Sequence, residues 1–375
     1  MNLAIVGCGF VADYYVATLR NHPNLILRGA TDTNELRAAL FARNYEVRHY
    51  RSLDEILNDE QVEIVLNLTN PRDHFEVSRA CLQAGKHVYS EKPLATEMEP
   101  AELLVQLAKE NQLQLSSAPC SLLGECAQTV WKALRDERIG RVRLVYAEMD
   151  DGLIHTFPYR DWKSATGIPW PAVDEFEVGC TMEHAGYYLT WLPAFFGPAT
   201  SVTAFSSCLI DDKLTDTPLQ VNAPDFSVAC VTFQSGVVAR LTCSIVAPHD
   251  HHLKIIGDDG ILCTDDCWYY RSPVYIRRRI RFRRGVRVSP FKVRCRLVGS
   301  GPQKYKYRGS QQMDFARGVV EMAESIREKR DCRLSADFSL HVNELVLAIH
   351  NASESSQTHV MKTTFAPIQP MPWAT

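Results

Sequence analysis

Apolar residues in the first third of the chain come in short solid runs, each followed by an amphipathic stretch. Residues 3–6, 25–31, 62–68, 87–90 and 113–116 have the length and apolar density of strands buried on both faces. Between them, residues 11–21 (Val16 and Leu19 inward, stopped before Pro23), about 52–58, 74–84 and 100–111 read as helices. This alternation predicts a parallel, doubly wound sheet whose ligands bind at the carboxyl ends of the strands. Asn70, Pro71, His74, Glu91 and Lys92 all fall at such ends.

Past residue 119 the rhythm changes. Residues 142–150, 200–206, 226–233, 237–245, 253–256 and 261–264 are strand-like and follow one another without intervening helices. They predict an α+β half built on a large, mainly antiparallel open sheet. The expected division is 1–119 and 120–375, with a C-terminal helix at about 337–355 packing back on the first unit. Near the end of the second unit, Arg277, Arg279, Arg281, Arg283 and Arg287 share one parity, while Ile276, Ile280, Phe282, Val286 and Val288 share the other. After Ser289-Pro290, Phe291, Val293, Cys295 and Leu297 alternate with Lys292, Arg294 and Arg296. Period two predicts two amphipathic strands with one arginine-covered face.

Composition adds limits. A chain of 375 residues is long enough for two domains with real cores, and 46% hydrophobic with 23% charged residues excludes disorder. No apolar run reaches the ~18 residues of a membrane span, and the chain enters a strand pattern at Leu3 without a leader-like segment. The 12 cysteines (Cys8, Cys81, Cys120, Cys126, Cys180 and onward) form no C-x-x-C pair, so a cytoplasmic protein with small buried thiols is expected. The net charge of −3 conceals an asymmetry: Arg271 to Arg308 holds fourteen Lys/Arg and no Asp/Glu, leaving 27 basic against 44 acidic residues elsewhere. Such a strip suits an anion, whether a nucleotide-sugar diphosphate, an acidic glycan or an anionic membrane surface; a solvated outer face is the alternative. Nucleic acid is not expected, because aromatic stacking positions on the basic face are scarce. His249-Asp250-His251-His252 reads as a hairpin turn and no metal is expected: adjacent histidines on a strand point to opposite faces, and no further Cys/His cluster accompanies them.

The chemistry begins at Gly7-Cys8-Gly9-Phe10-Val11-Ala12, a G-x-G-x-x-A between the first strand and the first helix. Gly7 permits the tight turn, Gly9 lets a pyrophosphate approach the backbone, and Ala12 allows close helix–strand packing. Asp32 stands 23 positions after Gly9 at the tip of the second strand, the context that turns a weak motif into a dinucleotide-binding signature. Its carboxylate suits two ribose hydroxyls and would repel a 2′-phosphate, so NAD is favoured over NADP. Residues 1–119 are therefore read as a Rossmann domain, and 120–375 as a substrate-binding and oligomerisation domain.

Asn70-Pro71-Arg72-Asp73-His74 and, above all, Ala84-Gly85-Lys86-His87-Val88-Tyr89-Ser90-Glu91-Lys92-Pro93-Leu94-Ala95 resemble the Gfo/Idh/MocA family of oxidoreductases, and weaker likeness extends through Ile256–Gly260 and residues 337–353. The resemblance implies that Lys92, in the E-K-P motif, lies beside the nicotinamide and moves the substrate hydroxyl proton. Near a cationic ring in a partly dry cleft, its ammonium form should be disfavoured. The family's second signature is Asp-x-Gly-x-His. His184 matches its histidine, but Cys180 stands at the aspartate and Met182 at the glycine. A carboxylate is thus missing from its usual place, and Asp174, Glu175 and Glu177 are near enough in sequence to replace it. At helical spacing Cys180, His184 and Tyr188 share a face, with Tyr187 adjacent. Trp162 lies in an aromatic loop, residues 157–171, that would either wall a substrate cleft or serve packing.

The resulting expectation is an NAD(H)-dependent oxidoreductase that transfers a hydride to or from a secondary alcohol or ketone of a sugar, cyclitol or nucleotide sugar. Lys92 and His184 are its catalytic residues. Gly7, Gly9, Phe10, Val11, Asp32, Asn70, His74, Glu91 and Lys92 hold the cofactor, and Cys180, Tyr187, Tyr188 and Trp162 face a small, polyol-like and possibly anionic substrate. The alternative is a silent NAD-binding sensor of the same fold. The resemblance further implies a homodimer or homotetramer.

Overall fold

The computed structural model describes residues 1–299, 304, 312–355 and 357–375. The first sheet is parallel throughout: β1 (Asn2–Val6), β2 (Ile26–Thr31), β3 (Arg48–His49), β4 (Ile64–Asn67), β5 (His87–Ser90) and β6 (Leu115–Ser117), in the order β3-β2-β1-β4-β5-β6. Leu3, Ala4 and Ile5 are fully buried, as are Ile64 and Val65 beside them, because helices cover both faces. Those helices are α1 (Ala12–Leu19), α2 (Glu35–Tyr45), α3 (Leu53–Leu57), α4 (His74–Gln83) and α5 (Met98–Glu110). Asn34 and Ser52 start α2 and α3 by accepting the Arg37 and Glu55 amides. The strand order reverses between β1 and β4, so the carboxyl ends of β1, β4 and β5 open onto one crevice.

After α6 (Glu125–Arg135) the second sheet begins. It comprises β7 (Val142–Asp150), β8 (Ala199–Ser207), β9 (Phe226–Phe233), β10 (Val238–Ser244), β11 (Leu253–Gly257), β12 (Gly260–Thr264), β13 (Val274–Phe282), β14 (Gly285–Val288), β15 (Val293–Arg294) and β16 (His359–Val360). Ten strands among the described residues, they are antiparallel except where β7 meets β10. A short helix α7 (Ala172–Val178) and a π-helical turn (Thr181–Ala185) lead into α8 (Gly186–Phe196). Beyond α9 (Arg317–Glu328), helix α10 (Ala336–His350) lies between the two sheets. Its Ser339 hydroxyl accepts the Ser117 amide and its Asn343 carbonyl oxygen accepts the Ala95 amide, while His341 Nε2 accepts the Ala199 amide of β8.

The basic strands depart from expectation. A two-residue turn at Arg283-Arg284 pairs Phe282 with Gly285, Arg281 with Val286 and Ile280 with Arg287. Because directly opposed residues share a face, this register puts Arg287 beside Ile280 and Val286 beside Arg281, so no single face is arginine-covered. Only nearer the sheet do the faces separate, Ile276 opposing Val293 and Tyr275 opposing Arg294. The β13–β14 tip stands free of the sheet, with Phe282, Val286 and Phe291 exposed. Lys306 and Arg308 of the basic segment lie outside the described residues.

Candidate functional site

At the end of β1, Gly7 has φ +95°, and a side chain there would meet the Leu68 carbonyl at 2.5 Å; only glycine fits. At Gly9 an added Cβ meets nothing within 4 Å, so the loop borders open space. No side chain caps the first turn of α1 at Val11, and Phe10 is half-buried with its ring 5.4 Å from that of Tyr14. Asp32 closes the loop from behind, accepting the Cys8 amide at 2.8 Å on one oxygen and the Asn34 amide at 2.8 Å on the other. Arg37, five residues on, comes within 3.6 Å of the same carboxylate. An open glycine turn leading into an uncapped helix start is what a pyrophosphate requires, and these residues fit one.

Lys92 follows β5, and its Nζ is ion-paired with Glu183 of the π-helical turn. Burial alone would disfavour the ammonium, but Glu183, Glu175 and Glu91 together outweigh it and hold Lys92 above the ordinary lysine range. The expectation of a disfavoured ammonium is therefore corrected: the protein surrounds this amine with carboxylates. Glu175 and Glu183 lie close enough that the charge of each acts on the other's protonation. Burial and the neighbouring charge push Glu175 well up, whereas the Lys92 ammonium overcomes the burial of Glu183 and keeps it low. Glu91 is fixed beside them, accepting the Tyr15 hydroxyl at 2.6 Å and the Lys92 amide at 3.0 Å. Of the three acids weighed as substitutes, Glu175 joins this cluster. Asp174 instead accepts from Asn70 at 3.0 Å and Glu177 from Arg72 at 2.6 Å, closing the seam between β4's loop and α7.

His184 adjoins Glu183 but serves a different partner. Its Nδ1 lies 2.9 Å from Asp151, just past β7, at an angle too poor for a formed hydrogen bond. Asp151 is buried and also takes His251 Nε2 at 2.7 Å. Burial pushes the Asp151 carboxyl up, and His184 and His251 more than reverse this, holding it well below the usual carboxylate range. Burial likewise works against protonation of His251, yet its contacts with Asp151 and Asp266 carry it up to about 9. The rings of His184 and Tyr187 both pack edge-on against Trp268, at 5.9 and 5.5 Å.

The remaining sequence-predicted residues separate. His74 is fully buried, with Nδ1 2.7 Å from the Pro93 carbonyl and Nε2 3.0 Å from the Thr69 carbonyl. Both ring nitrogens are thus spent on the loops after β4 and β5, so it braces the Lys92 segment rather than touching a cofactor. Cys180 does not share the setting of His184: its thiol points at the Cys243 carbonyl, 3.6 Å away, because the π-helical turn adds a residue and rotates the α-helical alignment of 180 with 184. Tyr188 is fully buried and donates to the His251 carbonyl, which removes it from any substrate surface. Trp162 stacks against Trp170 and Phe157 at 5.2 and 6.4 Å. The tip of that loop reaches the first domain, where the Thr166 amide and hydroxyl both donate to Asp13 at 2.8 Å, so the loop straps across α1 beside the glycine turn. Glu183 and Asp151 went unrecognised in the sequence; the signal available for Glu183 was its adjacency to His184.

A family model described as "Oxidoreductase family, NAD-binding Rossmann fold" matches residues 1–118, and one for the GFO/IDH/MocA C-terminal domain matches residues 127–263. An uncharacterized oxidoreductase, sll0816, of Synechocystis sp. is 26% identical over 272 residues, covering 70% of this chain and 71% of its own. Among solved structures, aldose–aldose oxidoreductase from Caulobacter crescentus, complexed with glycerol, superposes with a TM-score of 0.76 at 18% identity over 96% of this chain and 99% of that one. The WlbA dehydrogenase from Bordetella pertussis, in complex with NADH and UDP-GlcNAcA, gives 0.70 at 18% identity over 96% and 98%. Motif, fold and both family models agree: the chain belongs to the Gfo/Idh/MocA family of NAD(P)-binding oxidoreductases.

Proposed function

We propose that the protein transfers a hydride between NAD(H) and a secondary alcohol or ketone carbon of a sugar, cyclitol or nucleotide sugar. The observation that carries this is the meeting of Lys92 with Glu175 and with Glu183, the latter on a turn whose next residue, His184, lies against Asp151. Backbone amides from Gly7 to Val11 would receive the diphosphate, and the lone pairs that Asp32 keeps beyond its two amides would take ribose hydroxyls. Asp32 favours NAD; the nearby Arg37 guanidinium softens that preference. When bound, the nicotinamide supplies or accepts the hydride.

Lys92 does the proton work at the substrate oxygen. In its resting state it is an ammonium, ready to donate to the oxygen of a carbonyl as hydride reaches carbon. Glu175, whose raised pKa keeps a proton on the carboxyl pair, can return one through Glu183. The resting charge therefore suits reduction; in the oxidising direction the same chain must take the proton up. His184 orients the substrate hydroxyl from the other side of the turn, and Trp268, itself braced by Tyr187, packs against its ring. The nucleotide-sugar option is supported by the WlbA fold's complex and by the basic strip, and the twelve free cysteines suit a reducing cytoplasm.

The test is nicotinamide absorbance with purified protein and a panel of sugars, cyclitols, nucleotide sugars and their keto forms, alongside calorimetry with NADH and NADPH. Turnover that vanishes in Lys92→Met while NADH affinity persists supports the reading. Affinity without turnover on any panel member would favour the silent sensor, and no affinity for either dinucleotide would overturn both.

A further inference from the structure

The histidine cluster read from sequence as a plain turn is placed differently in the fold. Asp150 and Asp250 pair in an isolated antiparallel bridge, so the residues flanking it, Asp151 on one strand and His249 and His251 on the other, project to the opposite side together. Histidines at i and i+2, unlike adjacent ones, share a face. Their rings lie 4.2 Å apart between centroids. Asp151 Oδ1 is 2.7 Å from His251 Nε2 and 3.9 Å from His249 Nδ1, and one donor atom from each of the three lies within 4.8 Å of the others.

We infer that Asp151, His249 and His251 form a binding site for one divalent transition-metal ion. Two imidazoles and one carboxylate make a nitrogen-rich set, which selects Zn²⁺, Co²⁺ or Fe²⁺ over the oxygen-seeking Mg²⁺ and Ca²⁺. Burial fixes the two inner donors: Asp151 and His251 are almost wholly enclosed, with Oδ1 and Nε2 facing one another beneath the exposed His249 ring. Two imidazole nitrogens face the single oxygen Asp151 Oδ1, and only the nearer, His251 Nε2, is hydrogen-bonded to it, which leaves His249 Nδ1 turned toward the same point at 3.9 Å.

Outer support is present as well. Asp266 Oδ1 stands 3.6 Å from His251 Nδ1, the nitrogen facing away from Asp151, so a shift of a few tenths of an ångström would complete the carboxylate–histidine pair that steadies metal ligands. Cys267 is not a ligand in this scheme, its thiol lying 3.7 Å from Met149 Sδ. His249 is the exposed member, with 58% of its side chain open, so the ion is reached from solvent and keeps positions for an outside ligand. The site shares Asp151 with His184, which puts a bound cation beside the proposed substrate hydroxyl, although its existence does not depend on the hydride-transfer reading.

Chelator-stripped, tag-free full-length protein titrated with ZnCl₂ by calorimetry, and with CoCl₂ by visible absorption, tests the inference. One ion per chain, with MgCl₂ giving no comparable heat, is expected. His249→Ala, a change at an exposed side chain that should leave the fold intact, should abolish saturable binding. Asp266→Asn should weaken it by about 10–100-fold. His252→Ala is the control, because that exposed ring pairs with Asp250 and Asp265 on the other face, and should bind like the parent. Absence of stoichiometric binding, or binding that survives in His249→Ala or is lost equally in His252→Ala, overturns the site. NADH affinity, measured on the same samples, reports on the dinucleotide reading separately.

Discussion

Replacing Glu183 by Gln removes the principal counter-charge of Lys92 while keeping shape, and the surrounding acids determine how far the amine then shifts. A unit charge pair at ~4 Å is worth about 4 kcal/mol at the effective dielectric of a partly buried site, or about 3 pKa units. That is the ceiling for removing a sole partner. Glu175 lowers it, because its carboxyl is kept protonated by burial and by the charge of Glu183; once that charge is gone it ionises and takes over as partner. The single variant should therefore bring Lys92 down by clearly less than that ceiling. Glu175→Gln/Glu183→Gln leaves Glu91 alone against burial, and the fall should approach ~3 units, crossing below the ordinary lysine value. The sign follows for stability: a lysine whose folded pKa is raised contributes stability below its unfolded pKa, so both variants should lose stability at neutral pH, the double by a few kcal/mol. Selective ¹³C labelling of lysine Cε, with the Lys92 signal assigned from Lys92→Arg, reads the titration directly. A double variant in which Lys92 titrates at or above its parent value would refute the carboxylate account of this amine.

Two glycines of one loop should behave oppositely. Gly7→Ala forces a side chain onto the Leu68 carbonyl at positive φ and should lower stability by ~2 kcal/mol or more, whereas Gly9→Ala meets no protein atom and should leave the melting temperature nearly unchanged while weakening NADH at least about tenfold by calorimetry. Burial lowers His341 to about 4, so as pH falls below ~6.5 the unfolded chain takes its proton first; this residue alone should cost urea melts up to ~1.4 kcal/mol per pH unit between 6.5 and 4, and His341→Gln should remove that share of the slope. His350, likewise lowered to about 4, adds a parallel contribution that His341→Gln leaves in place. At the β13–β14 tip, if the strip meets an anionic membrane surface, Arg281→Glu/Arg287→Glu should cut sedimentation with phosphatidylserine vesicles by roughly 30-fold or more at low salt, following about 1 kcal/mol per basic residue. Equal sedimentation of variant and parent would leave the strip a solvated face.

The first sheet was legible because its signals are local. Solid apolar runs mark β1, β4 and β5, and the glycine motif needs only its strand and its helix. The two-residue β3 carries too little pattern to be seen, and α2 was passed over although Asn34 caps it and Ala38, Phe41 and Ala42 bury its inner face. In the second sheet the period-two pattern of the basic strands was correctly visible, but the face assignment failed. Parity within a strand is a property of that strand, whereas the pairing of one strand's parity with the next is set by the number of residues in the turn. Arg283-Arg284 is a two-residue turn, so odd positions of β13 oppose even positions of β14. Asp151 and His251 were hidden for another reason: they are a hundred residues apart, and only the alignment of their strands brings them together.

The same logic explains why Glu175 was named among the possible acids while Glu183, which meets Lys92 directly, was not. A search along the α-helical repeat from His184 leads back to Cys180, and in a regular helix that residue would face the cleft. The turn from Thr181 to Ala185 is π-helical, so each side chain after Cys180 is displaced from its α-helical bearing. Cys180 is left facing Cys243 on β10 and Thr181 bonds Ser227 on β9, while Glu183 meets Lys92 after β5 and His184 meets Asp151 after β7. Two consecutive residues thereby gather an amine from the parallel sheet and a carboxylate from the antiparallel one. The chemistry belongs to the junction of the two sheets, and the extra residue in that turn lets one helix start serve both.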